Sequence, residues 1–309
     1  MADPSTNINR SSLTVFGFAG ALGGCMLHQP LRESFGRNWE LLFPGCDLGF
    51  MIAFNICMFS AYFWCQVWFG RKCMPRWLSD DPIIMAYTIV ASLPVLICAY
   101  LGFRCMNKYW FDPSQGLTLA SRLTSSDPDI LAIAHIHAAY QFWNLMISIM
   151  RQEDAVSVVH HVSACILGLV LCNQGFGWYW CLYLGGVSET STAILSVMDI
   201  FKLNPYLQKD YPTLNVAVRA TFCIAFLVAR VFIWWYVMFW FYLDLYYFWS
   251  DYGNFQRPHF TVVVNVISWT ALTVRYLNLF YTSFEILSRL LNFGMPKYCV
   301  FSNSKRLSS

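Results

Sequence analysis

Charge is scarce in this chain of 309 residues: Asp, Glu, Lys and Arg make up 12% of it, about half the share of an ordinary soluble domain. That shortfall excludes a protein whose whole surface faces water. The formal net charge is only +3, and no basic run interleaved with aromatics is present, so no nucleic-acid partner is expected. The 12 cysteines include no CxxC pair. Cys57, Cys65, Cys98, Cys165, Cys172, Cys181 and Cys223 fall inside apolar stretches, where a thiol serves as a small packing residue rather than as part of a disulfide framework. Strand-like alternation is missing as well, which excludes a barrel. There is no internal repeat and no low-complexity segment.

What is abundant is apolar surface. Hydrophobic residues make up 57% of the chain and aromatics 18%, with 13 Trp, a residue that collects at membrane interfaces. Seven stretches, at 48–69, 82–103, 130–150, 155–172, 178–198, 214–243 and 260–281, are long enough to span a bilayer. The fold class is therefore all-α, a polytopic membrane bundle of about seven helices. The sixth stretch is long enough to require tilt or an aromatic extension into the interface. Residues 1–47 read as an extramembrane or interfacial segment, 48–286 as the membrane domain and 287–309 as a polar tail. The apolar, glycine-rich run at 13–26 is too short to span and reads as surface-lying or re-entrant. Lys and Arg weigh slightly toward the side holding Arg71, Lys72, Arg76 and Arg151, which puts that side and the C-terminus in the cytosol.

Polar groups inside such stretches carry the functional signal, because each ionisable side chain at mid-bilayer costs at least ~2.5–3.5 kcal/mol. His137, Tyr140, Gln141 and Asn144 follow helical spacing and share a face. His160 and His161 are adjacent, with Cys165 one turn beyond. Gly185, Gly186, Glu189, Thr192 and Ser196 form a third stripe. Arg219 and Arg230 are about three turns apart, and Arg230 needs a partner, for which Glu189 is the chemical match. Asn265, Ser268, Arg275 and Tyr276 form the last face. Interhelical glue accounts for a single Asn or Ser. Five polar faces in succession imply a bundle around a polar-lined cavity. No resident metal is expected: His28 and His259 lie in loops, and His135 and His137 point about 200° apart. The one metal arrangement to weigh is a zinc held by His160 or His161, Glu189 and a third ligand.

The segments VVHHVSACILGLVL, GGVSETSTAILSVMDIFK and FLVARVF, with AAYQFWNLMISIM upstream, together resemble the TLC (TRAM–Lag–CLN) domain over about 48–286. That family shows a His-His pair, an acidic and Ser/Thr-rich segment on the next helix, and an Arg or Lys on the one after; Asn144 stands near its usual Asp. Its ceramide synthases transfer an acyl group from acyl-CoA to a sphingoid amine, and carry a His-Asp and a further Asp after the His pair. Here those positions read Ser188-Glu189 and Thr192, which is similar to the non-synthase branch tied to phospholipid or sphingolipid homeostasis. The resemblance implies membrane lipids as partners, residence in the endoplasmic reticulum, and association with other membrane subunits or with itself.

Two main readings follow. As an acyltransferase, the chain would use His161 as base or nucleophile, with His160 second and Glu189 orienting the ring, and would take acyl-CoA as co-substrate with no bound cofactor. Arg230 or Arg275 would then hold an acyl carbonyl or a phosphate. As a non-catalytic lipid-binding, sensing or accessory protein, it would seat a headgroup on His137, Tyr140, Asn144, Thr192, Arg230, Asn265, Ser268 and Arg275. A channel or transporter is disfavoured by the lack of an inverted repeat.

Overall fold

The computed structural model describes residues 46–110, 117–124, 127–172 and 177–250, together with Ile267 and Thr270. The stretch at 260–281 with Asn265, Ser268, Arg275 and Tyr276 lies outside the described residues apart from Ile267 and Thr270, as do the run at 13–26, His28, His259 and the tail.

All regular structure among the described residues is helical. Helix α1 is Leu48–Phe69, α2 Pro82–Tyr109, α3 Pro128–Met150 and α4 Ala155–Cys172. Helix α5 runs through Trp178–Cys181, a π-helical segment Leu182–Val187 and Glu189–Leu203. Helix α6 runs through Pro212–Phe226, a second π-helical segment Leu227–Ile233 and Trp234–Ser250. Three of the starts are written in the sequence as Asp caps. Asp47 accepts from the Phe50 amide, Asp81 accepts from Ile84 with Pro82 following, and Asp127 accepts from Asp129 and Ile130 with Pro128 following.

Five of the described helices are long and apolar enough to cross a membrane: α1, α2, α3 with a lead-in from Ser121, α4 and α6. Helix α5 is not among them. Its length suffices, but Glu189 and the surrounding Ser and Thr residues dilute its apolar character. Helix α6 at 1.5 Å per residue is far longer than a ~30 Å hydrocarbon core. Phe232, Tyr236, Phe239 and Tyr246 stand exposed on its outer side, as a lipid-facing helix requires.

Helix α3 is the hub, packing against α1, α2, α4 and α5; α2 packs against α1 and α5, and α6 against α5. Two close approaches set this geometry. A Cβ on Gly102 of α2 would lie 2.4 Å from the Val187 nitrogen, and one on Gly186 would lie 2.7 Å from the Gly102 Cα, so the two backbones touch. A Cβ on Gly168 of α4 would lie 2.7 Å from the Ala138 Cβ of α3. Small residues permit such contact where apolar side chains gain little by leaving lipid for one another. One end of the bundle is tied by polar bonds. Lys108 pairs with Asp127 at 2.7 Å, Tyr109 donates to the same carboxylate, and Arg104 pairs with Asp129 at 3.1 Å. At that end the buried Asp244 of α6 accepts from Arg122 Nε at 2.9 Å and from Trp180 Nε1 at 3.1 Å.

Candidate functional site

Arg230 sits in the π-helical segment of α6 and reaches across to α5. Its Nη2 lies 3.1 Å from Glu189 Oε1 and donates to Thr192 Oγ1 at 3.0 Å, while Nε donates to Ser191 Oγ at 3.1 Å. Both side chains of the ion pair are buried, and the guanidinium also lies 5.7 Å from the centre of the Trp234 ring. The pairing expected on charge grounds is thus present. Thr192 serves as an acceptor for Arg230. Glu189 follows directly on the π-helical turns of α5, and Tyr183 in those turns donates to the Ala229 carbonyl beside Arg230. Wider π turns leave backbone and side chains out of ordinary helical phase, and they recur at functional sites. Here both partners of the ion pair stand at such a turn.

Three further groups lie within electrostatic range of Glu189. His137 and Tyr140 of α3 and Cys98 of α2 are close enough to feel its charge, and His137 also feels Arg230. Gly185 faces the His137 ring, where an added Cβ would sit 3.9 Å from Cγ. His137 is buried, and its Nδ1 has no hydrogen-bond partner among the described residues. One turn further along α3, buried Gln141 places Oε1 2.8 Å from Nδ1 of His161 on α4. With that oxygen accepting, Nδ1 carries the proton and Nε2 keeps its lone pair. His160 packs edge-on to His161, with ring centres 5.2 Å apart, and both are half-buried. Cys165, on the same face of α4, lies 3.7 Å from the Ala138 carbonyl. Two bonded pairs, His161–Gln141 and Glu189–Arg230, thus flank His137, which shares α3 with Gln141 and lies within electrostatic range of both members of the ion pair.

Asn144 belongs to a side branch. It accepts from Tyr87 of α2 at 3.1 Å and bonds Tyr140, and Tyr87 stacks on Trp143. Arg219, by contrast, bonds Asn215 one turn back on its own helix at 2.9 Å. The carboxylate expected to orient His161 is bonded to Arg230, and the histidine has Gln141 as a partner. For the same reason a zinc site combining either residue of the His pair with Glu189 would have to compete with Arg230. Four contributors escaped the sequence reading: Ser191, Tyr87, Tyr183 and Trp234. Only Trp234 carried a signal, its spacing of four from Arg230.

A family model for the TLC domain matches residues 83–286, from the start of α2 onward. The chain belongs to the TLC-domain family. TLC membership together with the apolar helices makes it an integral membrane protein of lipid metabolism or sensing. Helix α1 precedes the TLC match, while the His pair, Glu189 and Arg230 all fall within it. Neither the curated proteins nor the solved structures yield a match to this TLC chain.

Proposed function

We propose that this protein handles a membrane lipid by seating its polar headgroup at His137, between the His161–Gln141 and Glu189–Arg230 pairs. The carrying observation is the buried Nδ1 of His137, which has no hydrogen-bond partner among the described residues. Buried polar atoms are normally bonded, and leaving one unbonded costs about 1–3 kcal/mol. A lipid hydroxyl, amine or amide supplies the missing bond. Tyr140, Asn144, Thr192 and Arg230 complete the headgroup environment, joined in this reading by Asn265, Ser268 and Arg275. A sphingolipid or phospholipid is the class that the TLC family implies, with the endoplasmic reticulum as the membrane and further membrane subunits or a second copy as partners.

The His161–Gln141 bond favours a second reading, acyl transfer. With Nδ1–H held by Gln141, Nε2 takes the proton from a lipid amine or hydroxyl as that group attacks the thioester of acyl-CoA. A new amide or ester forms, the C–S bond breaks, and the CoA thiolate leaves and is protonated. His160 supports this step by packing against the His161 ring, Glu189 acts more remotely through its pair with Arg230, and no bound cofactor is involved.

Native mass spectrometry and lipidomics on the gently purified protein test both readings. We expect a defined lipid on the wild type, with occupancy reduced in His137→Leu. A wild type carrying no lipid beyond the bulk mixture, or a His137→Leu variant with undiminished occupancy, overturns the headgroup site. An acylated protein or acylated product that disappears in His161→Ala establishes catalysis. The same unmodified bound lipid in wild type and His161→Ala rules catalysis out and leaves binding.

A further inference from the structure

At the opposite end of α4 from the His pair, three chain-distant segments bring soft ligands together. The sulfurs of Cys46 and Cys172 and a ring nitrogen of His135 all lie within 4.8 Å of one another. Cys46 immediately precedes the cap of α1, His135 lies on α3, and Cys172 ends α4. Both thiols are buried, at 2% and 1% exposure, and they are in hydrogen-bond contact with each other. We propose that Cys46, His135 and Cys172 bind a zinc ion.

The histidine is already oriented for ligation. Its Nδ1 lies 2.9 Å from the Leu131 carbonyl one turn back, and the Asp47 amide donates to Nε2 at 3.1 Å. An N–H can only donate and a carbonyl can only accept, so Nδ1 carries the proton and Nε2 the lone pair. Phe50 meets the ring edge-on at 5.8 Å and restricts its rotation. A metal-binding imidazole is characteristically held this way, with its far N–H on a carbonyl and its lone pair toward the ion. The ligating nitrogen faces the segment that carries Cys46, and the Asp47 bond gives way to the coordinate bond.

Charge selects the ion. Two thiolates and a neutral imidazole around a divalent cation sum to zero, which is the least costly total in an apolar interior. A monovalent soft ion would leave one negative charge, and calcium or magnesium would want oxygen ligands. Tetrahedral zinc, with Zn–S of about 2.3 Å and Zn–N of about 2.0 Å, requires ligand atoms roughly 3.5–3.8 Å apart, so only side-chain adjustment closes the site. The fourth position is left to a neutral water, which keeps the total at zero. Loading converts Zn²⁺ and two R–SH groups into a neutral dithiolate and releases two protons. A second cluster of similar compactness among the described residues, Cys105 with Asp127 and Asp129, differs in charge: its carboxylates are already matched by Lys108 and Arg104.

The test uses the full chain, reduced and purified in detergent, with Co²⁺ as the spectroscopic probe. The wild type should take up one Co²⁺ per chain with sulfur-to-cobalt charge-transfer absorption, lose it to added Zn²⁺, and bind more weakly as pH falls. Cys46→Ser and Cys172→Ser should abolish the band, His135→Gln should weaken binding at least tenfold, and Cys223→Ser should leave it intact. The wild-type spectrum decides even if a variant fails to fold. A reduced wild type with no charge-transfer band overturns the site. So does a band that survives in folded Cys46→Ser and Cys172→Ser.

Discussion

Arg230 and Glu189, 41 residues apart in the chain, form a buried ion pair at the point where both of their helices turn π-helical. Neither charge is tolerable alone at that depth. Removing one partner of a buried pair typically costs 3–5 kcal/mol, while replacing both by apolar residues of similar volume is often nearly neutral. Glu189→Leu and Arg230→Leu should therefore each lower stability by about that amount. The double variant should be more stable than either single one. Thermal unfolding of all four proteins in one detergent checks this, and additive losses would show that the pair is not coupled.

Adjacent glycines in the same π-helical segment should behave oppositely. A Cβ on Gly186 meets the Gly102 backbone at 2.7 Å, whereas one on Gly185 meets only side chains, none nearer than 3.4 Å. Gly186→Ala and Gly102→Ala are expected to destabilise by about 1–3 kcal/mol or more, because backbone cannot move aside as a side chain can. Gly185→Ala should be tolerated. Unfolding temperature and the monodispersity of the purified protein are the readouts.

Much of this architecture was legible locally. Asp81-Pro82 and Asp127-Pro128 announce helix starts within the sequence, and the polar face of α3 appears in its own spacing. The Arg230–Glu189 match could be read from charge alone, since the rest of the described bundle offers few mid-helix charges. The π-helical turns could not be read, because residue patterns are counted at 3.6 per turn. From Leu227 onward the wider turn shifts the phase, and Arg219 and Arg230, three regular turns apart on paper, end on different partners. The cluster of Cys46, His135 and Cys172 was equally invisible. Its members come from three segments with no fixed spacing, and each alone reads as ordinary packing.

Asp244 anchors the far end of α6. With 2% exposure it accepts from both Arg122 and Trp180, so Asp244→Ala strands a part-buried guanidinium and an indole N–H. We expect a loss of about 3–5 kcal/mol, and a smaller one in Asp244→Asn, which keeps an acceptor. Proteolysis in nanodiscs should show α6 more readily cut in the alanine variant.

Gln141 sets the tautomer of His161 in either functional reading. Gln141→Leu removes the Oε1 acceptor 2.8 Å from Nδ1 and frees the ring to turn. If acyl transfer occurs, its rate should fall by at least tenfold with the KM for acyl-CoA little changed, while Gln141→Asn retains only part of the effect through its shorter reach. If the protein only binds lipid, Gln141→Leu should lower occupancy much less than His137→Leu does.

The ion pair also bears on how the chain enters the membrane. Helix α5 is not among the helices apolar enough to enter lipid on length and composition alone, and its carboxylate adds a penalty of about 2.5–3.5 kcal/mol at mid-bilayer. The cation that cancels this penalty is translated 41 residues later, within the very apolar α6. Helix α5 should therefore insert more readily with α6 following it in the chain than when translated alone, because the paired charges enter the bilayer as one neutral unit.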